Sequence, residues 1–395
     1  MPSGIGIGFG HHLDTKRATQ EAIESAVESS QSKTPKLALL ITTVHYNPNT
    51  IIDTVKNLLP NTQIIGCSSA GIILPNSIKT RGIAILFLDI PEMSFGISAI
   101  ENLKTQNLQN AGSELAQKSL QELKAQGRQV FLFFIDGHLE NNSHFIKGVQ
   151  NIFGNIFPVV GAGTSDDFHF NNTFQFYQNK VLRHAAVGLI LGGQINVSIA
   201  SRHGWRPLGK PRTITESYSN IIKKINDKPA VTLYEEYLGK ESDDIRSKHL
   251  SKIALLYPLG LYIEGSQEYL LRNAVDILSD GSIVCQGDVP QGSTVHVMIG
   301  NKESCAQAAF EAACEAKKDL LGKEAKLIIV IESMARLKLL GRQAFKEIQE
   351  IKTVFGKDTP IIGFYANGEI CPFQTTDQFK KPLLQNESIT VLAIS

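Results

Sequence analysis

The sequence predicts an α/β protein: two domains of helix-covered sheets built from repeated β-α-β-α-β-loop-β units. Three observations predict it. Apolar runs such as 36–43 (KLALLITT), 129–135 (QVFLFFI) and 326–331 (KLIIVI) have the length and continuity of strands buried on both faces. Between them, apolar residues recur three or four apart, as on amphipathic helices. The order of these elements repeats along the chain, and a glycine ends the same strand each time.

In the first copy, 3–10 (SGIGIGFG) reads as a strand and 14–29 as a helix that Asp14 can cap, with Ala18, Ala22 and Ala26 on one face beside Ile23 and Val27. The strand 36–43 follows, then a helix near 48–59 with Ile51, Ile52, Val55 and Leu59 on one face. A strand enters Ile64-Ile65-Gly66 and the small-residue loop Cys67-Ser68-Ser69-Ala70-Gly71, and 82–89 closes the copy. The second copy runs 93–100, 107–125, 129–135, 142–153, the turn at Gly161-Ala162-Gly163-Thr164, and 185–191. The third is expected at 293–299, 302–320, 326–331, 340–354, the turn at Ile361-Ile362-Gly363-Phe364, and 388–394. Between the second and third copies, 195–292 is less regular. It holds a strand at 195–201, a helix at 231–238 and strands at 253–257, 261–264 and 282–286. The polar stretch near 225–230 divides the chain into domains at 1–228 and 229–395.

The 395 residues carry 39 basic and 38 acidic side chains, a balance that argues against a nucleic-acid surface. No run approaches the roughly 18 apolar residues of a membrane span, and Met1-Pro2-Ser3-Gly4 lacks the basic start of a signal peptide, so a cytoplasmic location is expected. The five cysteines are odd in number and form no CxxC, which argues against a disulfide framework and a structural zinc site. The alternation Gly4, Gly6, Gly8, Gly10 lacks the spacing that cradles a pyrophosphate, and no G-x-S-x-G, P-loop or HExxH occurs.

Several segments, in order, carry a resemblance. They are Ile65-Gly66-Cys67-Ser68-Ser69-Ala70-Gly71, Val160-Gly161-Ala162-Gly163-Thr164-Ser165-Asp166-Asp167, Gly204-Trp205-Arg206-Pro207-Leu208-Gly209, Leu271-Arg272-Asn273, Gly287-Asp288-Val289-Pro290, Gly363-Phe364-Tyr365-Ala366-Asn367-Gly368-Glu369-Ile370 and Asn386-Glu387-Ser388. Together they resemble the FIST family, with an N-terminal and a C-terminal FIST domain. The resemblance implies a sensory protein that binds a small molecule such as an amino acid. It also extends to the nitric-oxide-sensing haemoproteins of the NosP type, which implies a haem cofactor and a histidine kinase partner. Two departures concern the ligand: Cys371 stands where a small residue is usual, and 331–336 keeps Arg336 but lacks the family's common cysteine.

The loop pattern and the resemblance together nominate Gly66, Cys67, Ser68, Ser69, Gly161, Gly163, Thr164, Asp166, Arg272, Tyr365, Asn367 and Glu369 as ligand-binding residues. Arg272, alone in an apolar strand, needs either a core carboxylate or a ligand carboxylate. Glu369 can hold a ligand ammonium or pair with Arg272 or Arg336. Asp166 and Asp167 are neighbours that need not act together, and either can serve as a turn anchor. Among ten histidines, His203 beside Gly204-Trp205 is the first candidate for a haem iron, and no CxxCH allows covalent attachment.

The reading that follows is a non-enzymatic sensor with a cleft between domains, signalling by contact with a histidine kinase or similar protein. Two alternatives stand: a haem-free metabolite sensor, and an enzyme using Cys67 or Glu369.

Overall fold

The strand Leu37–Thr43 is buried along its whole length because both of its faces meet protein. Leu37, Leu39 and Ile41 join one apolar cluster, while Ala38 and Leu40 join another beneath the helices Thr15–Ser30 and Pro48–Leu58. The same alternation divides Arg128–Ile135: Val130, Leu132 and Phe134 share the first cluster, and Phe131, Phe133 and Ile135 pack under helices Leu108–Glu122 and Ser143–Phe153. It divides Leu327–Ser333 likewise, with Leu327, Ile329 and Ile331 inward and Ile328 and Val330 under helices Lys302–Asp319 and Phe345–Phe355. A period-two strand between two apolar layers reads as a continuous apolar run. The three sheets thus enclose one shared core and carry their helices outside. The computed structural model describes residues 4–124, 127–139, 141–169, 171–238, 256–266, 268–373, 375 and 380–395.

Each unit places its strands in one order. In the first, Ile5–Gly10, Ile83–Leu88, Leu37–Thr43 and Gln63–Ser69 lie side by side, and only the last two are parallel. In the second, the order is Met93–Ile100, Ala186–Gly193, Arg128–Ile135, Val159–Gly163. In the third, it is Val197–Arg202, Ile389–Ile394, Leu327–Ser333, Ile361–Ala366. A hairpin then leaves each unit and completes another unit's sheet. Ile72–Leu74 with Ser77–Lys79 joins the third, Gln175–Tyr177 with Lys180–Leu182 joins the first, and Glu369–Phe373 with Lys381–Gln385 joins the second. This cyclic exchange fastens the three units to one another.

The repeat is as expected, except in how the third unit begins. Its first strand is Val197–Arg202, not 293–299. The strand Thr294–Ile299 belongs to a separate eight-stranded sheet inserted after His203. Both segments are short and apolar, and only pairing with Ile389–Ile394 across the fold separates them. The inserted sheet runs from Leu270–Arg272 through Leu259–Leu261, Thr294–Ile299, Arg206–Tyr218, Ile221–Ile225 and Ile283–Cys285 to Ala274–Ile277, and the eighth strand, Lys228–Pro229, pairs with Ile221–Ile225 off this path. Its first and last strands are joined through Asn273 alone, so the sheet curls into a barrel around its own core of Ile214, Ile222, Leu259, Val295 and Val297. Of the strands expected here, 282–286 forms as Ile283–Cys285, 261–264 meets the observed strand Leu259–Leu261 only at Leu261, and part of 253–257 lies outside the described residues. The helix expected at 340–354 forms as Phe345–Phe355, after a tight turn at Gly341–Gln343 and a separate short helix Met334–Leu340 that the sequence pattern did not predict.

The glycine alternation in the first strand has a packing cause. A side chain on Gly6, Gly8 or Gly10 would collide with backbone of the helix Thr15–Ser30 at Ala26, Ala22 and Ala18 respectively. Small residues on both partners let helix and strand approach to backbone contact.

Candidate functional site

Hairpin exchange brings the three glycine segments to one place; expected as loops and turns, they lie largely within the strands Gln63–Ser69, Val159–Gly163 and Ile361–Ala366. The Ser165 N–H donates to Ser68 O (3.4 Å), the Ala70 N–H to Tyr365 O (3.3 Å) and the Asn367 N–H to Gly163 O (2.9 Å). Ser69 Oγ accepts the N–H groups of Gly71 and Tyr365 (3.1 Å each) and lies 2.9 Å from Tyr365 O. Thr164 Oγ1 accepts from Gln175 Nε2 (3.1 Å) and Ser68 Oγ from the Phe174 N–H (3.1 Å). Residues 66–71 and 161–166 are all buried. Gly66 lies against the Leu40 backbone, Gly161 against Phe133 and Gly163 against the Asn367 carbonyl. These polar groups therefore satisfy one another and lock the units together. Cys67 is fully buried, and burial pushes its thiol up, away from the thiolate a nucleophile needs.

Asp166 anchors the next turn, its Oδ2 accepting the N–H groups of Asn171 and Asn172 at 2.7 Å each. Asp167 points elsewhere, 3.8 Å from His45 Nε2, so the adjacent carboxylates do not act as a pair. Beside them is a cluster that sequence reasoning missed. Buried Asp136 accepts from the His138 N–H and from Thr173 Oγ1 (3.0 Å each), and His184 Nδ1 lies 2.8 Å away. Burial opposes ionisation of Asp136, but the bonds from His184, the His138 N–H and Thr173 outweigh it and hold the carboxyl below its ordinary value. No sequence spacing links Asp136 to His184; the second unit's sheet joins them.

A second polar region surrounds Arg336. Its guanidinium pairs with Glu347 and donates to the carbonyls of His203, Glu387 (2.8 Å) and Cys305 (3.1 Å). Glu332, Glu369 and Glu387 are buried nearby. Glu369 pairs with neither arginine; its Oε2 accepts from the Ser388 N–H (3.1 Å) and Oγ (2.9 Å), and burial pushes it up to about 8. Burial also raises Glu332 and Glu387, the former helped by Glu347. Burial thus favours the protonated form of all three acids, and Glu369 is sealed from the surface.

His203 sits on the edge of this region. Its Nδ1 accepts the Trp205 N–H (2.9 Å), and burial, then the charge of Arg336, lowers it to about 3. Neutral imidazole suits a metal, yet the surroundings do not fit a haem. Gly204 is packed on the Ser304 carbonyl, Trp205 is buried with Leu271, Met298 and Cys305, and Gly300 lies on the indole ring. Among the described residues, these contacts occupy the space that Gly204 and Trp205 were expected to leave for a macrocycle.

Arg272 behaves differently from Arg336. It is 3 % exposed, and its Nε donates to Asp288 O and its Nη1 to Leu271 O and Leu384 O, each at 2.9 Å. Nη2 makes no hydrogen bond to the described residues, and none of their carboxylates reaches ion-pairing distance. The Asp288 carboxylate is engaged by Lys147 Nζ (2.8 Å) and Asn141 Nδ2 (2.7 Å). Burial lowers the guanidinium to about 10, still charged at neutral pH. Gly287, with φ 107°, makes room: a side chain there would meet Arg272 Nε at 3.1 Å. Arg272 lines a cavity of about 200 Å³ between the helix Ser143–Phe153, the inserted barrel and the strand Lys381–Gln385.

A chain of side-chain amides connects this cavity to the loops. Gln286 Nε2 donates to Asn367 O (2.9 Å), Asn386 Nδ2 to Gln286 Oε1 (2.8 Å), and the Asn273 N–H to Asn386 Oδ1 (3.2 Å). Segments distant in sequence thus meet in one network that ends beside Arg272. A FIST N domain model matches residues 36–228 and a FIST C domain model matches 230–372.

The chain belongs to the FIST family. FIST domains are associated with sensory signal transduction and small-ligand binding. Among curated proteins none matches the chain. Among solved structures, cyanuric acid hydrolase from A. caulinodans is similar at 6% identity and a TM-score of 0.42, covering 100% of this chain and 99% of that one. A second cyanuric acid hydrolase structure stands at 5% and 0.41, with 99% of both chains covered. T. maritima PurL complexed with ATP stands at 8% and 0.23, covering 99% of this FIST chain and 71% of its own. At these scores the likeness is too loose to transfer an activity. Among the described residues no helix is long and apolar enough to cross a membrane.

Proposed function

We propose that this FIST protein is a small-ligand sensor, that its ligand occupies the Arg272 cavity, and that it acts on a signalling partner such as a histidine kinase. One observation carries the reading: a buried guanidinium with no carboxylate partner among the described residues faces a cavity at the joint between the three-unit body and the inserted barrel. A buried charge is costly unless something compensates it, and sites between packed bodies are where ligands collect. A ligand there touches the body's helix, the barrel and the exchanged hairpin at once, so its binding energy can alter how the barrel seats on the body. The partner reads that change by contact.

A sensor is favoured over an enzyme because both nucleophile and acid candidates are sealed. Cys67 and Glu369 are each 0% exposed, without access to a substrate.

The test is a thermal-shift screen of small metabolites on the native protein and on Ile263→Trp, which fills the cavity from the half-buried rim residue Ile263. A ligand that raises the melting temperature of the native protein but not of the variant is the expected result. Equal shifts in both would remove the cavity from the proposal. Unchanged small-angle scattering at saturating ligand would remove the domain movement.

A further inference from the structure

We infer that the ligand of the Arg272 cavity is a short aliphatic carboxylate bearing one negative charge and no positive charge. The inference rests on the reading of that cavity as the ligand site, and it names the chemistry the site selects.

The charge follows from Arg272. Three of its donor contacts are spent on the carbonyls of Asp288, Leu271 and Leu384, which leaves the Nη2 edge. The N–H groups of that one nitrogen suit a single carboxylate oxygen, which accepts a charge-assisted bond. With Lys147 committed to Asp288, a phosphate dianion would depend on Lys381 at the cavity lining for its second charge and would leave the aliphatic walls without apolar contact.

The exclusion of a positive charge follows from Asp288. It is the acidic residue of the cavity lining, and both of its oxygens are taken, Oδ1 by Asn141 and Oδ2 by Lys147. An α-ammonium beside the ligand carboxylate would enter without a counter-charge, next to Arg272 and Lys381. Its desolvation would go uncompensated. The cavity therefore discriminates against a free amino acid in favour of the deaminated acid of the same skeleton.

The body of the ligand follows from the remaining walls: Ile146, Leu261, Ile263, Leu270, Leu383 and Leu384. Branched aliphatic walls reward a branched aliphatic chain. An apolar cavity of about 150 Å³ accepts benzene, so one of about 200 Å³ holds a molecule slightly larger. Isocaproate, the deaminated counterpart of leucine, has this size and charge.

Isothermal titration of the whole protein with isocaproate, leucine, isocaproamide and inorganic phosphate tests the inference, with Ile263→Trp as the filled-cavity control. Isocaproate is expected to bind and to lose binding in Ile263→Trp. Isocaproamide, which lacks the charge, should bind about tenfold to a hundredfold more weakly, and leucine at least as weakly. Arg272→Gln should abolish the preference for isocaproate over isocaproamide; if that variant does not fold, the amide comparison on the native protein decides alone. Leucine or phosphate binding more tightly than isocaproate, with loss in Ile263→Trp, would overturn the ligand class and leave the cavity as the site. Absence of isocaproate binding at millimolar concentration overturns the class as well. Isocaproate binding that persists unchanged in Ile263→Trp overturns both.

Discussion

Two buried arginines, Arg336 and Arg272, receive opposite treatment. Arg336 meets Glu347 in an ion pair and three carbonyls besides, and although burial opposes its charge, Glu347 and its neighbours hold it above its ordinary value. Arg272 meets carbonyls only, and burial lowers it to about 10. The first arrangement is complete and sits in solid packing; the second is incomplete and sits beside open space. A charge fully compensated by the protein serves the fold. A charge left one partner short, next to a cavity, is poised for a partner from outside.

The most direct way to break the comparison is to remove each arginine. Arg336→Met leaves Glu347 buried without its counter-charge and is expected to cost about 3–5 kcal/mol, measured by urea unfolding. Adding Glu347→Met to it should recover most of that loss, since both charges then leave together. If the single and double variants are equally unstable, the pair is not the unit that matters.

The acids around Arg336 give the next largest effect, through pH. Glu369 rises from 4.5 to about 8 in the fold because of burial. The folded state therefore holds a proton that the unfolded state releases above 4.5, so this stabilisation is complete below 4.5 and is lost as pH rises to about 8. Glu387 and Glu332 act in the same direction. The Glu369 contribution should fall between pH 5 and pH 8 by about 1.4 kcal/mol per pH unit. Glu369→Gln should flatten that slope; an unchanged slope would mean that Glu369 is ionised in the fold.

Arg272→Met comes third. Three carbonyls lose a donor, but an uncompensated buried charge also disappears, so a net loss of about 1–2 kcal/mol is expected, well below that for Arg336→Met. A cost as large as that for Arg336 would place Arg272 among the residues that hold the fold.

Much of this contrast was legible in the sequence, and its limits have physical causes. The runs at 36–43, 129–135 and 326–331 announced strands with apolar contacts on both faces, which is how Leu39 and Leu40 are placed. Arg272 stood out as a charge within an apolar strand. What could not be read is long-range pairing. Val197–Arg202 and Thr294–Ile299 are interchangeable as patterns, and only Ile389–Ile394 decides between them. The glycines of the three loops read as a ligand cradle because glycine leaves backbone bare. In the fold that bare backbone meets other backbone at Leu40 and Asn367. Lys147, Asp288 and Leu383 complete the cavity from a helix, a barrel loop and an exchanged hairpin, and nothing local in their sequence marks them as neighbours.

The smallest effect on stability is the sharpest on specificity. The Lys147–Asp288 pair is partly exposed, with side chains 50% and 28% accessible, so Lys147→Met should cost only about 0.2–1 kcal/mol. Burial opposes ionisation of Asp288, but Lys147 and Asn141 outweigh it and hold the carboxyl below its ordinary value. The contribution is therefore present at neutral pH and lost as pH falls through the depressed value, so the variant and the native protein should converge in acid. In the cavity the same substitution frees one oxygen of Asp288 for an incoming ammonium. Leucine should then gain on isocaproate, measured as the ratio of their dissociation constants in Lys147→Met and in the native protein. An unchanged ratio would show that the commitment of Asp288 to Lys147 is not what keeps a zwitterion out.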